Sequence, residues 1–72
     1  MTPRQLEQAG KILFGEGWRT AFCTIFGITG KSLRRMLSGD IPVPAGLASD
    51  VVCDLRDHGR RLDALLESLN DV

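Results

Sequence analysis

Apolar residues recur at intervals of three and four along most of the chain, the period of helices packed by one face. Thr2-Pro3 opens the first such stretch, with Thr suited to cap a helix and Pro to its first position. Leu6, Ala9, Ile12 and Leu13 then form its expected apolar face, and Gly15 and Gly17 stop it. A second helix is expected from about Trp18 to Phe26, with Phe22, Ile25 and Phe26 facing inward and small Cys23 among them. Gly27 suits the left-handed conformation that ends helices. Thr29 then caps a third helix over residues 30–38, which needs Leu33, Met36 and Leu37 buried and is closed by Gly39. Pro42 and Pro44 exclude helix from the connector 40–43, and Pro44 can start a fourth helix that reads through Leu47, Val51, Leu55, Leu62, Leu65 and Leu69. No stretch alternates as a strand would. The expected fold is all-α with four or five helices, one domain over residues 1–72.

Two short helices joined by a tight Gly-containing turn are the helix-turn-helix arrangement, here about residues 18–38. Cys23 stands four residues before Gly27, where a close crossing of helices leaves little volume. Ile28 can plug the gap under the turn, and Leu33 and Met36 can anchor the third helix. Gly30, Lys31, Arg34, Arg35 and Ser38 are left pointing away from the core. Three of the nine cations therefore crowd onto one exposed face of a helix short enough for a major groove about 12 Å wide. The free N–H groups at its start also favour phosphate.

Charge sharpens this picture. The formal total is zero, but residues 1–40 carry +3 and residues 41–72 carry −3. One half is suited to face an anion while the other serves another purpose. A 43 % hydrophobic content belongs to a globular domain and not to a disordered tail. Two cysteines, Cys23 and Cys53, are too few for a disulfide scaffold and fit reduced thiols in a cytoplasmic protein. Neither a basic-then-apolar leader nor a membrane span of about 18 apolar residues is present, so no membrane role is expected.

Other chemistry finds little footing. "GITGKS" resembles a phosphate loop, but that pattern needs Gly at position 25, which is Ile, and a preceding strand. Two cysteines and the single His58 form no recognised zinc spacing. Ser32 and Ser38 have no histidine near them in sequence, and no carboxylate pair stands out. No enzymatic activity, cofactor or metal is expected.

The stretch "WRTAFCTIFGITGKSLRRMLSGDIPVPAG" resembles the helix-turn-helix of lambda-repressor-like (xenobiotic-response-element type) bacterial and phage transcriptional regulators. It is most like a small-protein subgroup with an aromatic-led second helix, an Arg-Arg third helix, then Ser-Gly and a Pro-x-Pro connector. The likeness covers residues 12–55, with Gly27, Ile28, Leu33, Leu37, Ser38-Gly39 and Pro42/Pro44 in register without a gap. It implies that Arg19 or Thr20 holds a phosphate, that Lys31, Arg34 and Arg35 reach base edges or phosphates, and that Ser38 touches the DNA backbone. Thr29 and Ser32, in the first turn of the recognition helix, complete the expected DNA-binding set. Gly30 departs from the long polar reader common there, Met36 stands for Trp, and Cys23 stands for Ala.

Along the fourth helix, about residues 44–70, Val51, Leu55, His58, Leu62, Leu65, Leu69 and Val72 are spaced 4, 3, 4, 3, 4 and 3 apart. That is a heptad seam. Its first part can pack on the helix-turn-helix, and the part beyond Arg60 is expected to pair with the same helix of a second subunit; the seam residues Leu55, His58, Leu62, Leu65 and Leu69 are the expected dimerisation set. A break at Gly59, letting the segment fold back on its own core, is the alternative. The expected function is sequence-selective binding of double-stranded DNA by a homodimeric regulator, a repressor. The competing expectation is a helical protein-binding module, an adaptor or antirepressor, that keeps the fold without the DNA role.

Overall fold

The computed structural model describes residues 1–71; Val72, the last position of the seam pattern, lies outside the described residues. Four helices follow one another: α1 (Pro3–Phe14), α2 (Trp18–Phe26), α3 (Gly30–Ser38) and α4 (Ala45–Asn70). No strand occurs among the described residues.

The ends of these helices are made by the residues that mark them in the sequence. Thr2 Oγ1 accepts a hydrogen bond from the Gln5 N–H at 3.1 Å, and Gln5 Oε1 accepts one from the Thr2 N–H at 2.9 Å, a reciprocal cap on α1. Thr29 caps α3 by one bond only, its Oγ1 accepting from the Ser32 N–H at 3.1 Å. Gly27 (φ 68°, ψ 36°) and Gly39 (φ 85°, ψ 5°) close α2 and α3 in the left-handed region. Pro44, expected to open α4, stands at its N-cap.

Every helix contributes two residues to one core: Leu6 and Ala9 from α1, Trp18 and Phe22 from α2, Leu33 and Met36 from α3, Leu47 and Val51 from α4. Phe22 is its centre. The Trp18 ring meets it edge-on at 5.9 Å, Phe14 approaches at 6.4 Å, and Phe26 lies tilted at 4.6 Å. Such edge contacts add about 0.5–1.5 kcal/mol each beyond the area they bury. Leu37, Ile28, Cys23 and Leu55 are partly buried against this cluster.

The expected inner faces of α1 and α2 are corrected at one position each. Ile12 and Ile25 are both 60 % exposed. On α1 the buried stripe runs through Leu6, Ala9 and Gly10 towards Phe14, which turns Ile12 outward. Ile25 sits at the end of α2 on a shallow groove shared with Asp50, Cys53 and Asp54, beyond the layer of core side chains.

The fourth helix is one uninterrupted rod of 26 residues, about 39 Å long. It passes through Gly59 without a break, so residues 60–70 do not fold back and no fifth helix forms among the described residues. Its first half packs on α1, and residues 60–71 are all exposed, which gives the molecule extents of 49 × 22 × 20 Å. Among the described residues, no helix is long and apolar enough to cross a membrane.

Candidate nucleic-acid interface

The turn between α2 and α3 is held by backbone bonds that its sequence permits. Gly27 and Ile28 both donate to the Cys23 carbonyl, Ile28 at 3.1 Å, and the left-handed Gly27 makes this possible. Ile28 is thereby drawn half under the turn. The chain then extends at Thr29 (φ −83°, ψ 154°), whose carbonyl accepts from Leu33 at 3.0 Å to start α3.

Opposite faces of α3 carry opposite chemistry. Leu33 and Met36 are each 2 % exposed in the core, while Lys31, Arg34, Arg35 and Ser38 are exposed. The ion pairs among the described residues are Lys11–Glu7 at 3.2 Å and Arg61–Asp57 at 3.0 Å. Lys31, Arg34 and Arg35 therefore form no ion pair among the described residues. At the C-terminal end the Arg35 carbonyl accepts from Gly39, from Asp40 at 2.9 Å and from Ser38 Oγ at 3.1 Å. That cluster satisfies the helix end and fixes Ser38 on the rim of the basic face.

Two shallow clefts meet on this surface. The first lies between α2 and α3 and is lined by Arg19, Thr20 and Thr24 on one wall and Gly30 and Arg34 on the other, over a floor of Cys23, Leu33 and Leu37. The second is lined by Lys31, Arg34, Arg35, Ser38 and Asp40. Arg34 borders both, so they form one strip across two helices. Arg19 is steadied from behind, its guanidinium carbon 5.6 Å from the centre of the Trp18 ring. Four cations and one carboxylate, Asp40, line the strip.

The expected set is thus brought together in most of its members. Arg19, Thr20, Lys31, Arg34, Arg35 and Ser38 line the strip. Thr29 and Ser32 lie beside it but hold each other, with Thr29 Oγ1 and Ser32 Oγ 3.0 Å apart, and act as the cap of α3. Thr24 and Asp40, outside the expected set, also line the strip. Thr24 follows Thr20 by one helical turn, a spacing that signals a shared face. Asp40 follows the closing Gly39 and has no periodic signal at all. On α4 the expected pairing residues divide: Leu55 is packed against the core and His58 is half-buried in a groove with Leu13 and Phe14, whereas Leu62, Leu65 and Leu69 are exposed. Leu66, outside the four-three series, is exposed beside them.

Comparison of the chain with models of known families, with curated proteins and with solved structures finds no match.

Proposed function

We propose that this protein binds double-stranded DNA, with α3 in the major groove and the α2 wall of the strip against the adjacent phosphates. One observation carries the reading: α3 is anchored by Leu33 and Met36 and turns Lys31, Arg34 and Arg35 outward with no ion pair among the described residues. Arg and Lys are the side chains that most often address guanine O6 and N7, and uncompensated cations suit phosphate. Arg19, Thr20 and the open start of α3 supply donors at the groove edge. Short α2, a three-residue turn and short α3 agree with a helix-turn-helix, and the resemblance of the sequence to lambda-repressor-like regulators supports a role in transcription, as a repressor acting as a homodimer on a two-fold site.

Selection of binding fragments from a random duplex pool, followed by titration in salt, tests the reading. With up to four cations at phosphates the slope reaches at most about −3.6, a fall in affinity of up to about a hundredfold between 50 and 200 mM salt. A pool that yields no enriched sequence, with a flat salt response, overturns it. The zero formal charge of the chain and the Asp40 carboxylate on the strip favour a second reading, a protein-binding module with the same fold. The same titration separates the two.

A further inference from the structure

The distal half of α4 is a row of leucines with nothing over it. Leu62, Leu65, Leu66 and Leu69 are 49 %, 56 %, 58 % and 60 % exposed. All four fall within roughly 100° of the helix circumference, on the stripe that carries Leu47, Val51, Leu55 and His58 through the body. The apolar stripe is therefore continuous, and α1 covers only its first half. Single exposed leucines are ordinary, but a contiguous row of four marks a contact surface.

We infer that this row pairs with the same row of a second copy of the chain, and that the two helices run antiparallel. The pairing supplies the second subunit assumed under the DNA-binding reading, but it stands on observations of α4 alone. Three of them fix the direction. First, the leucines are symmetric about the point midway between Leu65 and Leu66, with Leu62 and Leu69 equally far to either side. Antiparallel helices centred there bring Leu62 onto the partner's Leu69 and Leu65 onto the partner's Leu66, so every layer is leucine on leucine.

Second, the charges near the seam are unevenly placed. Before Leu62 the rod is neutral, Arg56, Arg60 and Arg61 against Asp50, Asp54 and Asp57, but Arg60 and Arg61 stand together at the junction, and Asp63, Glu67 and Asp71 give −3 along and after the seam. Antiparallel pairing sets each such arginine pair near the acidic end of the other copy and aligns the helix dipoles favourably. Parallel pairing sets like beside like.

Third, the body blocks the parallel arrangement. It sits on the seam side of α4 through His58, so two parallel copies would press their bodies into one space. In the antiparallel arrangement residue 71 of one copy falls opposite residue 60 of the other, the start of the fully exposed run. Each helix fills the free length of its partner and meets the body without overlapping it. The buried area is on the order of 1,000 Å², at the small end of specific interfaces.

The test uses the native exposed Cys53 as a spin-label site, with half-buried Cys23 replaced by Cys23→Ala. Cys53 lies on the side of α4 away from the leucines. Antiparallel pairing separates the two labels by about 25 residues of helix rise and one interhelical spacing, roughly 39 Å. A measured distance near 40 Å, together with a light-scattering mass near twice the 7.9 kDa of the chain that falls on dilution, is the expected result. The double substitution Leu65→Asp/Leu66→Asp abolishes the dipolar signal while the body keeps its thermal transition. A label distance below about 25 Å overturns the antiparallel direction. A 7.9 kDa species at every concentration up to hundreds of micromolar overturns the pairing and leaves the row to a different protein. Both measurements are made without DNA. A monomer that still binds a half-site sinks only this inference, and a dimer that ignores DNA sinks only the previous one.

Discussion

The ring of Trp18 occupies the place where a side chain on Gly10 would stand: a Cβ built there falls 2.0 Å from Cε3 of the indole. Both residues are buried, and Phe22 abuts the ring edge-on. The close crossing of α1 and α2 depends on this missing side chain. Gly10→Ala is expected to cost about 2 kcal/mol by overpacking, with a melting temperature lower by roughly 10 °C. That exceeds the gain in helix propensity, which favours Ala by about 1 kcal/mol. Thermal melts followed by circular dichroism check the sign; a rise in melting temperature would show that the helices can part at no cost.

Arg34 borders both clefts, and Arg35 the second alone. Arg34→Ala is therefore expected to weaken DNA binding more than Arg35→Ala. The double variant should lose specific binding and flatten the salt slope by about 2, since each lost phosphate contact removes about 0.9. Neither guanidinium supports the core, so melting should stay within about 0.5 kcal/mol of the parent. Fluorescence anisotropy across a salt series measures both quantities.

Thr29 caps α3 through the Ser32 N–H, and its hydroxyl also meets Ser32 Oγ. Thr29→Ala is expected to cost about 1 kcal/mol of stability and Thr29→Ser almost nothing. Because the cap sets the first turn of the basic helix, DNA affinity should follow the same order. Equal melting of the two variants would mean that the hydroxyl is dispensable to the helix.

Leu33 and Met36 hold α3 down from the other side. Truncation of either to Ala removes packing worth about 2–5 kcal/mol, a large share of what a domain of this size possesses. Ile12 and Ile25, each 60 % exposed, should accept Ser with changes near 0.5 kcal/mol. Urea denaturation of the four single variants gives the contrast directly.

The helix ends were legible because their signals are local. Thr2-Pro3, Gly27, Thr29 and Gly39 each act through their own backbone angles or a hydrogen bond three residues away, and each marks a boundary where the structure has one. The basic face of α3 was legible for the same reason, since Leu33 and Met36 fix its rotation. Rotation of α1 was not, because Leu6, Ala9, Ile12 and Leu13 fit a helical face as well as the true stripe does. The choice is made by the contact of Gly10 with Trp18, which only the folded chain reveals. Gly59 likewise read as a possible break. Its cost of about 1 kcal/mol is small against the hydrogen bonds of a 26-residue helix, and no residue beside it demands a turn. Asp40 escaped because a residue beyond a helix end has no periodicity to betray its neighbours.

An unbroken α4 makes angular phase as well as distance a property of the molecule. Each residue of a rod advances it by 1.5 Å and turns it by about 100°. One residue inserted between Arg56 and Gly59 would swing the outer leucines a quarter-turn away from the stripe inside the body. Seven residues would nearly restore their bearing while carrying them about 10 Å outward. Length changes in this rod are thus permitted only in steps close to whole turns, so any protein of this design that spans a wider gap should do so in jumps rather than by gradual growth.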